Sequence, residues 1–372
     1  MGGQLNATTR AVTLADYEPL ARAALDDSAW SYLAGGAADE ITLRENRRAW
    51  DGWRLLPRVL RPLAGGHTRQ TLLGREWPHP IMLAPVAYQR LFHPDGEHAS
   101  ALAAVAQGAG ITLSTQASVA LEDVARLALG EARRGALWFQ LYVQHDRGFT
   151  RELVQRAEAA GYEALVVTVD APTNGARDRE RRAGFQLPPG VRAVNLAGLA
   201  PRPIADMPPG HSALFDGLLH GAPTWADIEW LAGLTRLPVL LKGVLHADDA
   251  ATALRAGAAG LVVSNHGGRT LDTAVTTAFA LPRIADVVAG RVPLLVDGGI
   301  RRGTDIVKAL ALGAQAVMVG RPCIWALAAE GALGVARAIR LLRDEFEIAL
   351  ALCGCATLSD ADKALLVSAR EA

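Results

Sequence analysis

The sequence predicts an α/β protein: a closed (β/α)8 barrel of the TIM type, with an N-terminal helical extension and a long loop after strand 4. Eight short runs of residues are almost continuously apolar and β-branched, which is typical of parallel strands buried on both faces. Segments rich in Ala, Leu, Arg and Glu, each long enough for a helix, separate most of these runs. Because parallel crossovers are right-handed, a repeated order of strand then helix favours a closed barrel.

The spacing of the predicted strands is regular apart from one interval. They start 22 to 33 residues apart, but the fifth, at position 238, starts 74 residues after the fourth, at position 164. The Pro- and Gly-rich stretch 187–223 is predicted to be a long loop above the barrel mouth, since long loops in compact domains are usually functional. The predicted strands are 81–85, 111–115, 136–143, 164–170, 238–243, 260–265, 293–299 and 316–322. The predicted helices between them are 99–107, 121–129, 151–160, 247–256, 278–288 and 304–312.

Helical patterns flank the predicted barrel on both sides. Thr13 and Asp16 resemble a capping box that opens an amphipathic helix running to Leu25. From Val335 to Leu350, apolar residues recur at helical spacing and are expected to face the barrel wall. We therefore expect a single domain with an N-terminal helical extension (1–80), a barrel core (81–322) and C-terminal helices (323–372).

Composition narrows the class of function. The chain has 372 residues, and its 38 Lys and Arg balance 38 Asp and Glu, so no long-range field attracts nucleic acid or an anionic membrane surface. It has three cysteines, no uninterrupted apolar stretch long enough to span a bilayer and no secretory signal pattern, which together predict a cytoplasmic protein without disulfides. An open doubly wound sheet is the alternative fold, but no G-x-G-x-x-G or Walker loop follows any predicted strand.

Polar residues cluster at the ends of the predicted strands, where side chains and loops of a barrel converge on one mouth. Runs seven and eight end in Asp297-Gly298-Gly299-Ile300-Arg301 and Gly320-Arg321. Glycines let backbone N–H groups approach an anion and arginines neutralise it, so a phosphate site is predicted there, the alternative being a simple tight turn at the paired glycines. The other polar strand ends are Ser114, Gln140, Tyr142, Thr168, Asp170, Lys242, Ser264, Asn265 and His266.

Three of these strand ends indicate acid–base chemistry around a flat ligand. His266 and Arg269 lie three residues apart after run six, where an imidazole can accept a proton and a guanidinium can bind a carboxylate. Lys242 ends an otherwise apolar strand, so an anionic partner is expected beside it. The small residues of Ala84-Pro85-Val86-Ala87 would allow a flat ring to lie against the backbone. No metal site is predicted, since His93 and His98 lack metal-ligand spacing.

Taken together, these motifs resemble the FMN-dependent α-hydroxy-acid oxidases and dehydrogenases, whose members include glycolate oxidase, lactate oxidase and hydroxymandelate oxidase. The resemblance runs from about Leu14 to the C-terminus, and the stretch from Ala84 to Pro94 is most similar to the hydroxymandelate oxidase branch. The motifs that carry it are Tyr32-Leu33-Ala34-Gly35-Gly36-Ala37, Ala84-Pro85-Val86-Ala87, Gln140-Leu141-Tyr142, Thr168-Val169-Asp170, Lys242-Gly243, Ser264 to Arg269, Asp297 to Arg302 and Gly320-Arg321-Pro322.

The resemblance implies a role for each matching position. His266 would be the active-site base, paired with Asp170, while Arg269, Arg177 and Tyr32 would bind the substrate carboxylate. Tyr142 would hydrogen-bond near the substrate hydroxyl, and Lys242 would lie beside the N1/C2 edge of the flavin. The remaining implied FMN-binding residues are Pro85, Val86, Ala87, Ser114, Gln140, Thr168, Ser264, Asp297, Gly298, Gly299, Ile300, Arg301, Gly320 and Arg321.

Three positions depart from the pattern of relatives. Gln116 stands where glycolate oxidases have a tryptophan, Tyr88 where they have a methionine, and Ala176 where many relatives carry the first of two arginines. Arg177, the second of that pair, is kept, so the resemblance still implies a carboxylate site. The size and polarity of the substrate pocket are expected to differ.

The leading functional hypothesis is FMN-dependent oxidation of an (S)-2-hydroxy acid, aromatic and mandelate-like or of medium chain length, to the 2-oxo acid, with O2 reduced to H2O2. Two alternatives stay within flavin enzymes: a dehydrogenase that uses another acceptor, and a different FMN barrel, which would have no use for both Arg177 and Arg269. A third is a phosphate-ligand-binding barrel without turnover. A homo-oligomer, specifically a homotetramer, is expected because relatives are commonly tetramers.

Overall fold

A computed structural model describes residues 11–131, 134–202 and 210–369. Its strands, in chain order, are β1 (Trp53–Leu55), β2 (Gln70–Leu72), β3 (Arg75–Trp77), β4 (Ile81–Leu83), β5 (Gly110–Ser114), β6 (Leu137–Leu141), β7 (Ala164–Thr168), β8 (Val239–Val244), β9 (Gly260–Val263), β10 (Leu294–Val296), β11 (Ala316–Val319) and β12 (Leu366–Ser368). Strands β4 to β11 form a closed parallel barrel, in which β11 pairs with β4 to complete the circle. The predicted (β/α)8 barrel is confirmed.

In the described part of the chain, three helices precede the barrel strands, and the others follow them. The helices are α1 (Tyr17–Ala24), α2 (Asp27–Ala34), α3 (Ile41–Asp51), α4 (Glu97–Gln107), α5 (Leu121–Leu129), α6 (Arg147–Ala160), α7 (Asp178–Arg182), α8 (Trp225–Leu234), α9 (Ala247–Arg255), α10 (Thr277–Val288), α11 (Gly303–Ala311) and α12 (Arg321–Leu352). Short 3-10 helices lie at Leu14–Asp16, Gln89–Leu91, Val194–Leu196, Leu358–Asp360 and Lys363–Leu365, and a π-helix at Ala213–Leu218. Helix α12 is kinked at Glu330 and Gly331, where the backbone leaves helical geometry.

The barrel strands read as apolar runs because both of their faces are buried. One face packs in the barrel interior around Met82, Trp138, Val166 and Leu240, while the other packs against the helices. Trp77 from the β2–β3 hairpin meets Trp138 edge-on, with ring centroids 5.5 Å apart, and so fills one end of the barrel. The opposite end of the barrel, where the strands finish, is not filled in this way and can form a site.

The regions outside the barrel are less uniform than predicted. The N-terminal extension contains the predicted helices but also β1, β2 and β3, so it is not helical throughout. The C-terminal region adds β12, which pairs antiparallel with β1 and so joins this region to the N-terminal extension. These four strands have three residues each and stand outside the repeated order of strand and helix by which the barrel strands were recognised.

The interval between β7 and β8 forms part of the barrel mouth. Leu187, Leu196, Leu218 and Gly221 from the predicted loop line the cavity there, whereas residues 203–209 lie outside the described part of the chain. The interval also contains α7 and α8, which were not predicted. The predicted position of this segment above the mouth is confirmed for its described residues.

Helix α12 has the length and apolar composition that could cross a membrane. However, 61% of the residues in its most apolar window are buried in the protein. Among the described helices, α12 is the one with both this length and this composition. The buried core helices of soluble proteins can have both as well. Its apolar character is explained by packing, since Val335, Ile339, Leu342 and Phe346 are all buried.

Glu97, at the start of α4, joins the loops that follow β4 and β5. Its side chain is fully buried, and Oε1 accepts hydrogen bonds from the backbone N–H groups of Gln89 (3.0 Å) and Ser118 (2.9 Å). Oε2 accepts from the Ser118 hydroxyl at 2.7 Å. The same two loops carry Tyr88 and Gln116 to the cavity, so this carboxylate fixes part of its wall.

We expect Glu97→Ala to lower the free energy of unfolding by about 2–6 kcal/mol, because two buried N–H groups lose their acceptor. Urea unfolding followed by tryptophan fluorescence measures the change. Glu76→Ala is the matched control, since Glu76 is exposed on β3. A loss of stability for Glu97→Ala no larger than that of the control would contradict the structural role.

Candidate active site

The carboxyl ends of the barrel strands surround one cavity of about 1220 Å³. Every residue predicted for the site lines it except Asp170 and Ser264, which lie directly behind its wall. The predicted residues that line the cavity are Tyr32, Pro85, Val86, Ala87, Ser114, Gln140, Tyr142, Thr168, Arg177, Lys242, His266, Arg269, Asp297, Gly298, Gly299, Ile300, Arg301, Gly320 and Arg321. The barrel therefore brings together residues that are up to 289 positions apart, as between Tyr32 and Arg321.

His266 and Asp170 form a hydrogen-bonded pair at the cavity wall, with 2.9 Å between His266 Nδ1 and Asp170 Oδ1. Burial lowers the pKa of His266 despite the opposing effect of the Asp170 carboxylate. Burial acts to raise the pKa of Asp170, but the hydrogen bond and charge of His266 outweigh it and lower that pKa. At neutral pH this arrangement favours a neutral imidazole beside a carboxylate, with Nε2 left to accept a proton.

The backbone around this pair is unusual. His266, Gly267 and Gly268 all have positive φ (56°, 63° and 72°), which turns the chain sharply after β9. On the neighbouring strand, Gly243 has φ 112°, and a Cβ there would lie 2.5 Å from the Cβ of Asp170. A side chain at position 243 would therefore displace the carboxylate from His266.

Lys242 is buried, with Nζ 3.2 Å from Asp297 Oδ2 and 2.9 Å from Ser264 Oγ. Burial acts to lower the pKa of Lys242, but the negative charges of Asp297 and Asp170 raise it overall. The expected anionic partner of this lysine is thus confirmed as Asp297. Ser264 also accepts a hydrogen bond from the backbone N–H of His266, so it joins the lysine to the base.

Buried polar atoms without hydrogen-bond partners point to a polar ligand with both donors and acceptors. Gln140 Oε1 accepts from Ser114 Oγ and from the N–H of Thr115, each at 3.2 Å, while its Nε2 has no partner among the described residues. Asp297 Oδ1 is also buried and unpaired. An amide donor on one side and a carboxylate acceptor on the other fit the ring edge and the ribityl hydroxyls of FMN.

Arg301 and Arg321 place two half-buried guanidiniums beside Gly298, Gly299 and Gly320, and neither forms an ion pair with a carboxylate in the described chain. Burial lowers the pKa of Arg301 to about 10 and that of Arg321 well below its ordinary value. Within the described chain, their side chains donate hydrogen bonds to backbone carbonyls, such as Ile300 O and Gly267 O. Buried cations at the N-termini of α11 and α12 fit the phosphate of FMN.

Gly299 also has a structural reason to be glycine. Its φ is 90°, and a Cβ would lie 2.4 Å from the carbonyl oxygen of Asn46 in α3. Arg47 from the same helix donates to Gly299 O and pairs with Asp305, whose carboxylate accepts the N–H groups of Arg301 and Arg302. The proposed phosphate loop is therefore held in place from α3 as well as by its own glycines.

Arg269 and Arg177 converge near Tyr32 and Tyr142. The guanidinium of Arg269 lies 5.0 Å from the centre of the Tyr32 ring and donates to Tyr32 O and Gly35 O, each at 2.7 Å. Arg177 Nε is buried without a partner among the described residues. Burial raises the pKa of Tyr142 and of Tyr32, so both phenols keep their protons and can donate.

Sequence reasoning missed several residues of the site. Glu180 contacts both Arg177 and Arg269, and Asn46 exchanges amide hydrogen bonds with Asn265 at 2.9 and 2.8 Å. The sequence around Glu180, Asp178-Arg179-Glu180-Arg181-Arg182, looks like a solvent-exposed charged turn, and Asn46 belongs to a predicted outer extension.

Within the described ranges, no group of three or more His, Cys, Asp or Glu side chains could hold a metal ion.

Comparisons with known proteins show that this chain has several oxidases as relatives. An L-lactate oxidase from Roseobacter sp. (strain GAI101) is 50% identical over 355 residues, which cover 95% of this chain and 94% of the relative. An L-lactate oxidase from Nostoc sp. (strain PCC 7120) is 47% identical, covering 97% and 100%. Glycolate oxidase 1 from Oryza sativa subsp. indica is 43% identical, covering 94% of each chain.

Solved structures lead to the same group. Mandelate oxidase with (S)-2-phenylpropionate superposes with a TM-score of 0.86 at 44% identity, covering 96% of this chain and 98% of that one. Mandelate oxidase with benzoyl-formic acid gives the same values. A family model described as FMN-dependent dehydrogenase matches residues 21–368. The chain therefore belongs to the FMN-dependent dehydrogenase family, as its motifs indicated.

Proposed function

We propose that this protein is an FMN-dependent oxidase that converts an (S)-2-hydroxy acid to the 2-oxo acid and passes the electrons to O2, giving H2O2. The observation that carries the proposal is the His266–Asp170 pair in a cavity that also holds two arginines, Arg177 and Arg269. One base and a carboxylate site are the groups this reaction requires from a protein. FMN, when bound, supplies the acceptor for the two electrons removed from the substrate.

Substrate binding and proton transfer are assigned to different residues of the chain. Arg177 and Arg269 bind the substrate carboxylate and so orient C2 and its hydroxyl toward His266. His266 Nε2 accepts the proton, and the Asp170 carboxylate stabilises the imidazolium that forms. Because routes by hydride transfer and by a carbanion both need this base, the proposal covers either.

Other classes of FMN-dependent enzyme fit the residues of the cavity less well. An isomerase or nucleotide dehydrogenase would keep the phosphate pocket but would have no use for two arginines beside a base. The L-lactate, glycolate and mandelate oxidases that resemble this chain further support an oxidase. The homotetramer and the cytoplasmic location stay predictions.

The substrate side chain is proposed to be apolar, within the range from lactate to mandelate. Tyr32 stacks on Phe185 with ring centroids 4.7 Å apart and on Phe92 at 6.3 Å, and Tyr88 meets Tyr32 edge-on at 6.2 Å. This aromatic wall lies on the cavity next to Arg269. It offers apolar and ring contacts to a substrate whose carboxylate is held by the arginines.

The decisive experiment is anaerobic addition of glycolate, (S)-lactate, (S)-2-hydroxyoctanoate and (S)-mandelate to the purified flavoprotein. We expect (S)-lactate or (S)-mandelate to bleach the flavin absorbance, and air to restore it with formation of peroxide. Bleaching without peroxide would identify a dehydrogenase. Failure of every acid to bleach the bound flavin would exclude the proposed function.

His266→Asn is expected to keep bound FMN but to slow flavin reduction by substrate about 10²–10⁴-fold, the usual contribution of a general base. Asparagine tolerates the positive φ at this position, so the backbone is preserved. Stopped-flow absorbance measures the rate. His246→Asn is the control, since exposed His246 caps α9 and asparagine keeps that cap. Equal reduction rates in the two variants would remove His266 from its role.

The pH dependence of kcat/KM is expected to follow the neutral form of His266. Because burial lowers the pKa of this imidazole below 6.5, activity should fall only on the acid side of that value. Asp170→Asn removes a negative charge that raises this pKa, so the acidic limb should move to still lower pH while kcat falls. Oxygen consumption from pH 4 to 9 checks both. A limb that moves to higher pH in the variant would contradict the assignment.

A further inference from the structure

Glu180 places a carboxylate against both arginines of the proposed substrate site. Its Oε1 lies 3.1 Å from Arg269 Nη2 and 3.4 Å from Arg177 Nη1, and its Oε2 lies 3.5 Å from the same Arg177 atom. All three side chains are largely buried, with exposed fractions of 13%, 14% and 18% for Glu180, Arg269 and Arg177. This carboxylate belongs to none of the roles derived above.

The position of Glu180 is fixed by the scaffold and not by the arginines alone. It lies on α7, whose Arg179 pairs with Glu40 on the outer side. Just before α7, Gly175 packs so tightly that a Cβ would lie 2.2 Å from Thr270 O, adjacent to Arg269. The segment that carries Glu180 is therefore packed directly against the segment that carries Arg269.

The electrostatic effect of this carboxylate is to halve the charge of the arginine pair. Burial, followed by the positive charge of Arg177, lowers the pKa of Arg269, while Glu180 acts in the opposite direction. With Glu180 ionised, the three side chains carry a net charge of about +1, which one carboxylate group balances. A ligand with two carboxylates would bring an unbalanced negative charge into a buried site, which is costly.

We propose that Glu180 is a specificity-determining residue, a counter-charge that restricts the arginine pair to monocarboxylates and moderates their affinity. The inference rests on the proposed function, since it takes Arg177 and Arg269 as the carboxylate site. It predicts that removing the charge of Glu180 strengthens binding of carboxylates and relaxes discrimination against dicarboxylates.

The test uses the FMN-loaded enzyme and two unreactive ligands of similar length, butyrate and succinate, with dissociation constants from isothermal titration calorimetry. Wild type is expected to bind butyrate more tightly than succinate. In Glu180→Gln both should bind more tightly, and the ratio of the two constants should shift toward succinate about tenfold. Glu180→Asp keeps the charge, so its ratio should stay within about twofold of wild type.

Asp178→Asn is the matched control, because Asp178 lies on the same helix but pairs with the exposed Arg181 and does not line the cavity. Its two dissociation constants should equal those of wild type. Flavin content and circular dichroism check that each variant is folded.

Three results would overturn the inference. Weaker binding of both ligands in Glu180→Gln would mean that Glu180 orders the arginines instead of offsetting their charge. An unchanged ratio in that variant, or a ratio in Glu180→Asp that shifts as far as in Glu180→Gln, would remove the effect of charge. If wild type binds no carboxylate and no hydroxy acid reduces its flavin, the proposed function itself fails, and that result is distinct from the others.

Discussion

Buried positive charge at the carboxyl ends of the strands is the constraint on which the rest of this site depends. Lys242, Arg301, Arg321, Arg269 and Arg177 all line one cavity. A buried cation is costly unless an anion lies beside it. Asp297 meets this need for Lys242, and Glu180 meets it for the arginine pair. The side chains of Arg301 and Arg321 donate only to neutral backbone carbonyls within the described chain. We expect anionic ligands to bind where the chain leaves these charges unbalanced.

The backbone geometry serves the same end by letting charged groups approach closely. His266, Gly267 and Gly268 turn the chain after β9 so that the imidazole meets Asp170, and Gly243 leaves room for that carboxylate. The rim of the barrel is stiffened by contacts that reach across it, such as Glu97 between two loops and Arg47 between α3 and the loop after β10. The geometry of the site and the packing of the loops around it therefore depend on the same few residues.

Much of this arrangement could be predicted from the sequence because barrel topology is regular. The apolar runs predicted all eight barrel strands. The rule that strand ends converge also predicted that His266, Lys242 and Arg321 lie at the same barrel mouth. The cost of burying an ammonium group predicted an anionic partner for Lys242, but it did not identify that partner as Asp297. The resemblance to a family supplied the more specific roles, such as those of Arg177 and Tyr32.

The parts that could not be predicted depend on tertiary contact. The β1–β12 pair joins residues more than 300 positions apart through strands of three residues, which leave no periodic signal. Glu180 stands in a charged turn that resembles a solvated surface, yet it is largely buried in a segment whose Gly175 packs against Thr270. Local pattern identifies which elements form, but it does not identify which charged residues those elements bury.

The two proposed anion sites of the cavity differ in how far nearby carboxylates neutralise their arginines. This difference fits the ligand proposed for each site. Neither Arg301 nor Arg321 forms an ion pair with a carboxylate in the described chain, so a phosphate at the proposed site would be attracted by both cations, as a resident cofactor requires. Arg177 and Arg269 are already partly neutralised by Glu180, so a substrate carboxylate gains less. Since the 2-oxo acid product carries the same carboxylate as the substrate, a site that bound it as tightly as the phosphate would release it slowly. We therefore expect moderate affinity at the proposed carboxylate site to favour turnover, and strong affinity at the proposed phosphate site to retain FMN.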